Sequence, residues 1–155
     1  MRSDLISIAL LNYNHSKLIV RAITAILNQS CRPCQLIIGD DNSTDNSVEI
    51  INYLIQDYEW ISLLINEQNV GVVKNGNSLL NHVKTKYVLF AAADDFLLPD
   101  YIERVEHHLK KFPSVGLISA TALAFDNVKG SSDYYSSSLI SLKAKYFSPK
   151  NSSMA

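Results

Sequence analysis

Tyr87-Val88-Leu89-Phe90-Ala91-Ala92-Ala93-Asp94-Asp95 is a short apolar run that stops abruptly at two carboxylates. Such a run predicts a buried strand that delivers negative charge to the edge of a sheet. Neighbouring like charges repel. They are tolerated in water, or with a cation or hydrogen-bond donors between them. The pattern recurs earlier, where Gln35-Leu36-Ile37-Ile38-Gly39 ends in Asp40-Asp41. Two strand-end pairs in one small chain suggest a site that handles a metal and a polar ligand.

Leu5 to Leu11 is apolar and β-prone and predicts a first strand. Asn12-Tyr13-Asn14 breaks it, and Asn14 is suited to cap a helix starting next to it. Leu18, Ala22 and Ile26 repeat every fourth residue, as do Ile19, Ile23 and Leu27, which predicts an amphipathic helix over 15–29. Asn42-Ser43-Thr44-Asp45 is a turn and cap cluster before a second helix carrying Val48, Ile51, Ile55 and Tyr58. Trp60 to Ile65 predicts a third strand, Glu67 to Gly71 a loop, and 72–83 a weaker helix. After Asp94-Asp95, Pro99 suits the start of a helix with Ile102, Val105, Leu109 and Phe112 on its inner face. Val115 to Phe125 is a further β-prone run. Alternating strands and helices predict an α/β fold with a parallel sheet covered on both faces.

Composition narrows the function. At 155 residues the chain is one domain by length, and 47% hydrophobic content provides a core. A net charge of -1 gives no basic field for nucleic acid. No apolar stretch is long enough to span a membrane. The N-terminal run reads as a strand rather than a signal peptide, so a cytoplasmic location is expected. Cys31-Arg32-Pro33-Cys34 has redox-motif spacing, but it follows a helix instead of opening one, and two thiols fall short of a structural zinc site. An ordinary helix-to-strand loop is expected there. His107 and His108 are consecutive on a helix, about 100° apart, and are poorly placed to share a metal.

Ligands of open α/β sheets bind at the carboxyl ends of the strands. Three clusters fall on that rim: Asn12-Tyr13-Asn14, Asp40-Asp41 and Asp94-Asp95. The Asn69-Val70-Gly71 loop should border it. Charges supplied by carboxylates alone prefer a hard cation such as Mg2+ or Mn2+, which commonly accompanies phosphate. Neither a P-loop nor a dinucleotide-binding glycine pattern is present.

In order and spacing, several motifs resemble family 2 glycosyltransferases over residues 5–125. They are Ile6 to Asn14 with its helix, Ile37-Ile38-Gly39-Asp40-Asp41-Asn42-Ser43-Thr44-Asp45, Asn69-Val70-Gly71, Asn77, Lys86 to Phe90, Asp94-Asp95 and Pro99. Each motif is common, whereas the ordered set is specific. The resemblance implies a GT-A fold, a three-layer α/β/α architecture with a mainly parallel, mixed sheet. It also implies a nucleotide-diphospho-sugar donor, Mg2+ or Mn2+, and inverting transfer to a saccharide or lipid-linked acceptor. Acceptors of this kind imply proximity to the inner face of the membrane.

By that resemblance, Asp41 matches the aspartate that bonds the nucleotide base, and Leu11 and Tyr13 fall on the segment lining the base pocket. Asp95 matches a metal ligand and Asp94 a ribose or metal contact. Three positions depart from the pattern. Ala92 replaces the first aspartate of the family's acidic stretch. Gly76 replaces a basic residue before Asn77, leaving Lys74 as the substitute cation for the diphosphate. The family's catalytic base has no match in 131–155, where Asp133 is the sole carboxylate, so that base is expected beyond Ala155. The implied organisation is a nucleotide-sugar-binding domain over 1–126 and the start of an acceptor region, polar and serine-rich, over 127–155. Two other readings compete. One is a non-catalytic nucleotide-binding module. The other is a phospho-acceptor receiver domain, which wants an aspartate after the third strand where this chain has Asn66.

Overall fold

The computed structural model describes residues 1–119, together with the backbone of 123–126 and 131–134. Two compact units divide between Lys110 and Lys111. The first contains β1 (Ile6–Asn12), α1 (Ile19–Leu27), β2 (Gln35–Asp40), α2 (Ser47–Ile55), β3 (Ile61–Ile65), α3 (Val72–Leu80) and β4 (Tyr87–Ala92), and α4 (Tyr101–Lys111) ends at its boundary. In the second, β5 (Leu123–Asp126) pairs antiparallel with β6 (Ser131–Tyr134).

The sheet of the first unit runs β3-β2-β1-β4, and every pairing in it is parallel. The central strands β1 and β2 are almost wholly buried, as their unbroken apolar sequences require. Side chains alternate between faces along a strand. Ala9 and Ile37 therefore point to one face, where they pack with Leu79 of α3 and with Leu11, Leu64, Val83 and Val88 around it. Ile8, Leu10, Leu36 and Ile38 point to the other face. The buried Ile19, Ile23 and Ile26 of α1, Ile51 of α2 and Ile102 of α4 supply the apolar layer there. The result is the three-layer α/β/α arrangement implied by the sequence.

Several local expectations are corrected. Helix α1 begins at Ile19 rather than His15, because Leu18 and Ile19 N–H both bond the His15 carbonyl in a preceding turn. Asn14 does not cap it. With φ 55° Asn14 occupies the left-handed region, and its side chain bonds the loop after β2 instead. Within the β-prone run from Val115, residues 115–119 form no strand and Leu117 is exposed; the strand begins at Leu123. The stretch Leu139-Ile140-Ser141-Leu142, apolar enough for a short element, lies outside the described residues.

Among the described residues, no helix is long and apolar enough to cross a membrane. Cys31 and Cys34 are free thiols in the α1–β2 connection. Cys31 is fully buried and donates to Glu106 Oε2 at 3.1 Å. Burial, and then this carboxylate, pushes its thiol up to about 11, opposite to the shift a redox cysteine needs. Glu106 is itself a buried carboxylate on the inner face of α4, held by Lys110 at 2.9 Å.

Candidate donor site at the carboxyl rim of the sheet

Strand order brings the predicted clusters together. Asp41 N–H donates to the Asn12 carbonyl at 2.9 Å and Ala93 N–H donates to the Leu11 carbonyl at 3.0 Å. The ends of β2 and β4 thus flank the end of β1. Two strand spacings separate them, about 10 Å. That is the scale of a nucleoside, with Leu11 and Tyr13 between the two acidic ends.

The two strand-end pairs differ in character. Asp40 is fully buried and its carboxylate is consumed locally. It accepts from Asn12 Nδ2 at 2.6 Å, from Ser43 Oγ at 2.7 Å and from Ser43 N–H at 2.8 Å. Asp40 is therefore a structural residue of the β2–α2 turn, not one of a pair of ligand-binding charges. Asn42, at φ 61°, lets the chain reverse there.

Asp41, 3% exposed, faces the β3–α3 loop. Its Oδ1 accepts from Asn66 Nδ2 at 2.8 Å and from Val70 N–H at 2.9 Å, and its Oδ2 accepts from Gly71 N–H at 2.8 Å. Burial pushes this carboxyl upward, but the three hydrogen bonds outweigh it and hold the group below its ordinary value. An ionised carboxylate has about four acceptor positions, and three of those on Asp41 are filled in this way. Behind Asp41, Asn75 Oδ1 accepts from Asn66 at 3.3 Å while its Nδ2 donates to the Gly39 carbonyl at 2.9 Å.

A second clamp joins the β1 and β2 ends. Asn14 Oδ1 accepts from Thr44 and Asp45 N–H, and Asn14 N–H donates to Ser43 Oγ at 2.9 Å. Asp45 accepts from Ser16 N–H at 2.9 Å and from Ser47 N–H at 3.0 Å. Burial opposes its ionisation, but bonds from Ser47 and Ser16 prevail and lower its carboxyl to about 2.

On the far side of β1, Asp94 and Asp95 are exposed, as are Tyr13 and Lys74. Leu11 is half-buried and packs into the apolar cluster beneath α3. Lys74 and Asn77 lie on α3, whose N-cap is Gly71. Among the described residues no group of three or more His, Cys, Asp or Glu could hold a metal. Two adjacent carboxylates still fit a hard divalent ion of the Mg2+ type, which takes one or two protein carboxylates and completes its shell with phosphate oxygens and water.

Sequence reasoning missed the parts played by Asn66, Asn75 and Arg21. Asn66 and Asn75 are polar residues whose significance comes from meeting behind Asp41, and nothing in their local sequence marks them. Arg21 is hidden within an amphipathic helix.

The sequence profile of Glycosyl transferase family 2 matches residues 7–152. The chain belongs to that family. A glycosyltransferase of Haemophilus influenzae, described only as uncharacterized, is 36% identical over 104 residues, covering 67% of this chain and 42% of that protein. Chondroitin synthase of Escherichia coli is 30% identical over 120 residues, covering 77% of this chain and 17% of the synthase. This family 2 chain therefore spans less than half the length of either relative. Among solved structures, Staphylococcus aureus TarS in complex with UDP superposes with a TM-score of 0.65 at 22% identity, covering 71% of this chain and 33% of that one. A mannosyltransferase from Pyrobaculum calidifontis, in complex with GDP-Man and Mn2+, gives 0.62 at 20% identity, covering 72% and 33%. At such identities the likeness establishes the shared GT-A fold of this family 2 chain.

Proposed function

We propose that this chain is the donor-binding part of a family 2 glycosyltransferase that transfers a sugar, with inversion, from a nucleotide diphosphate to a saccharide or lipid-linked acceptor. The observation that carries this reading is the Asp41 carboxylate, buried and held below its ordinary value with three of about four acceptor positions filled, and the fourth is assigned to a ligand donor. That position suits the N–H of a nucleotide base, with Leu11 and Tyr13 lining the ring. The complexes of TarS with UDP and of the mannosyltransferase with GDP-Man support a nucleotide-sugar donor without choosing its base.

Asp95 would hold Mg2+ or Mn2+, with Asp94 on the ribose or on the same ion, and Lys74 would approach the diphosphate. When bound, such an ion supplies Lewis-acid neutralisation of the charge that develops on the departing diphosphate. The chain's own part is to orient the donor between Asp41 and Asp94-Asp95, two strands apart. The base that deprotonates the acceptor is assigned to sequence beyond Ala155. Residues 1–126 are then the nucleotide-sugar domain and 127–155 the start of the acceptor region, in an enzyme working on the cytoplasmic side near the membrane.

Calorimetry with UDP and GDP, with and without Mn2+, tests this. Mn2+-dependent binding that is weakened by both Asp41→Asn and Asp95→Asn is the expected result. Binding indifferent to Mn2+ and to both substitutions would refute it. A second reading has its own support, because Asp133 is the sole acidic residue in 127–155. On that reading the 155-residue chain binds nucleotide without transferring sugar, and turnover by this chain alone excludes it.

A further inference from the structure

The segment joining β4 to α4 has no regular structure of its own from Asp95 to Leu98. It hangs from α1 and the residues just after it. Arg21 and Ala25 lie four apart on one stripe of α1, and Gln29 continues that line just past the C-cap Asn28. Arg21 Nη2 donates to the Asp94 carbonyl at 2.9 Å, and its guanidinium carbon lies 4.7 Å from the centre of the Phe96 ring. Gln29, buried, donates to the Leu98 carbonyl at 2.6 Å and accepts from Ile102 N–H at 3.0 Å. Ser30 N–H donates to the Pro99 carbonyl at 2.8 Å. Main-chain groups at 94, 98, 99 and 102 are thus fixed from a single helix and its exit.

We propose that Arg21 is the positioning residue of the Asp94–Asp95 arm. This rests on the reading of that arm as the place where cation and diphosphate bind. Two adjacent exposed carboxylates repel, and without a ligand an irregular loop relieves that repulsion by turning one of them away. Arg21 opposes this from both sides of the pair's main chain. It anchors the Asp94 carbonyl on one side and stacks on Phe96 on the other. A fork of several donors on a planar cation can do both at once, which a lysine ammonium cannot. Gln29 completes the brace at the end nearer α4. Arg21 therefore acts on the arm through its backbone and is not itself a catalytic residue.

The test uses the 155-residue chain with Mn2+ and whichever of UDP or GDP the wild type binds more tightly. Free Mn2+ is read by its paramagnetic resonance signal. Outer-shell partners of metal ligands commonly change metal affinity about 10- to 100-fold. Arg21→Leu should weaken Mn2+ uptake about tenfold, and Arg21→Lys, which keeps one donor and the charge, should weaken it less. Nucleotide affinity in EDTA should stay within about twofold of wild type in both variants. Unchanged Mn2+ affinity in Arg21→Leu overturns the positioning role. So does a parallel fall in metal-free nucleotide binding, which marks general damage to the fold. Asp95→Asn separates the two readings. If it abolishes Mn2+ uptake while Arg21→Leu does not, only the role of Arg21 fails. A wild-type chain that takes up no Mn2+ with either nucleotide overturns both.

Discussion

The Asn66 side-chain amide donates to Asp41 Oδ1 at 2.8 Å, extending by one residue the link that its own main-chain N–H makes to the Asp40 carbonyl at 2.9 Å. The same amide bonds Asn75 Oδ1 at 3.3 Å, so one side chain links the candidate base-binding carboxylate to α3. Asn66→Ala would leave Asn75 Oδ1 without this donor and Asp41 Oδ1 with Val70 N–H alone. A buried group deprived of its partner costs about 1–3 kcal/mol. The denaturation midpoint should fall accordingly, and nucleotide affinity should fall with it as Asp41 loses its orientation.

Gly71 has φ 86° and ψ 156°, a combination open essentially to glycine, and its N–H holds Asp41 Oδ2. A Cβ there would meet no atom within 4 Å. The cost of Gly71→Ala is therefore conformational, about 1–3 kcal/mol. Relief of that strain would rotate the N–H away from Asp41. The expected outcome is a lower melting temperature together with weaker nucleotide binding, read by calorimetry.

Gly39 and Gly76 should respond to alanine with opposite signs. A Cβ on Gly39 would lie 2.7 Å from Asn75 Oδ1 and 2.9 Å from the Leu79 methyls. Gly39→Ala should destabilise by about 1–3 kcal/mol, as overpacking does, and displace Asn75. A Cβ on Gly76 would meet Phe90 at 3.4 Å and Leu11 at 3.6 Å, which is ordinary contact. Gly76 lies inside α3, where alanine is favoured by about 1 kcal/mol. Gly76→Ala should raise the urea midpoint.

Acid should loosen the rim before it unfolds the sheet. The Asp45 carboxyl is lowered to about 2 and that of Asp41 is lowered as well. An unfolded aspartate titrates near about 3.9. A depressed folded value means the stabilisation is fully present above the unfolded value and lost as pH falls through the folded one. The midpoint of thermal unfolding should therefore drop between about pH 4 and pH 2. Asp45→Asn should be less stable at neutral pH and show a shallower fall in that window.

Much of the fold was legible because its signals are local. Apolar runs such as Leu36 to Ile38 make buried strands wherever they sit, and the four-residue repeat of Ala22 and Ile26 makes one face of a helix. The acidic strand ends could be assigned to one rim because parallel strands align their carboxyl ends. Boundaries were less legible. Asn14 has the composition of a helix cap, yet its side chain is taken by Thr44 and Asp45, residues far away in the chain. Asp40 and Asp41 look equivalent in sequence. Their roles part because successive residues meet different surroundings, Asn12 and Ser43 for one and the Asn66–Gly71 loop for the other.

The alternation of strands and helices, the family, and the acidic charge at the strand ends follow from short-range pattern and order alone. What each carboxylate bonds to depends instead on long-range contacts. Asp40 is spent on its own turn, Asp41 is held by Asn66 and the loop at Val70-Gly71, and the Asp94 carbonyl is held from α1 by Arg21. Apart from the Ser43 donors within Asp40's own turn, those outcomes depend on donors brought in from segments 25 to 73 residues distant, and such convergence exists only once the sheet has ordered its strands.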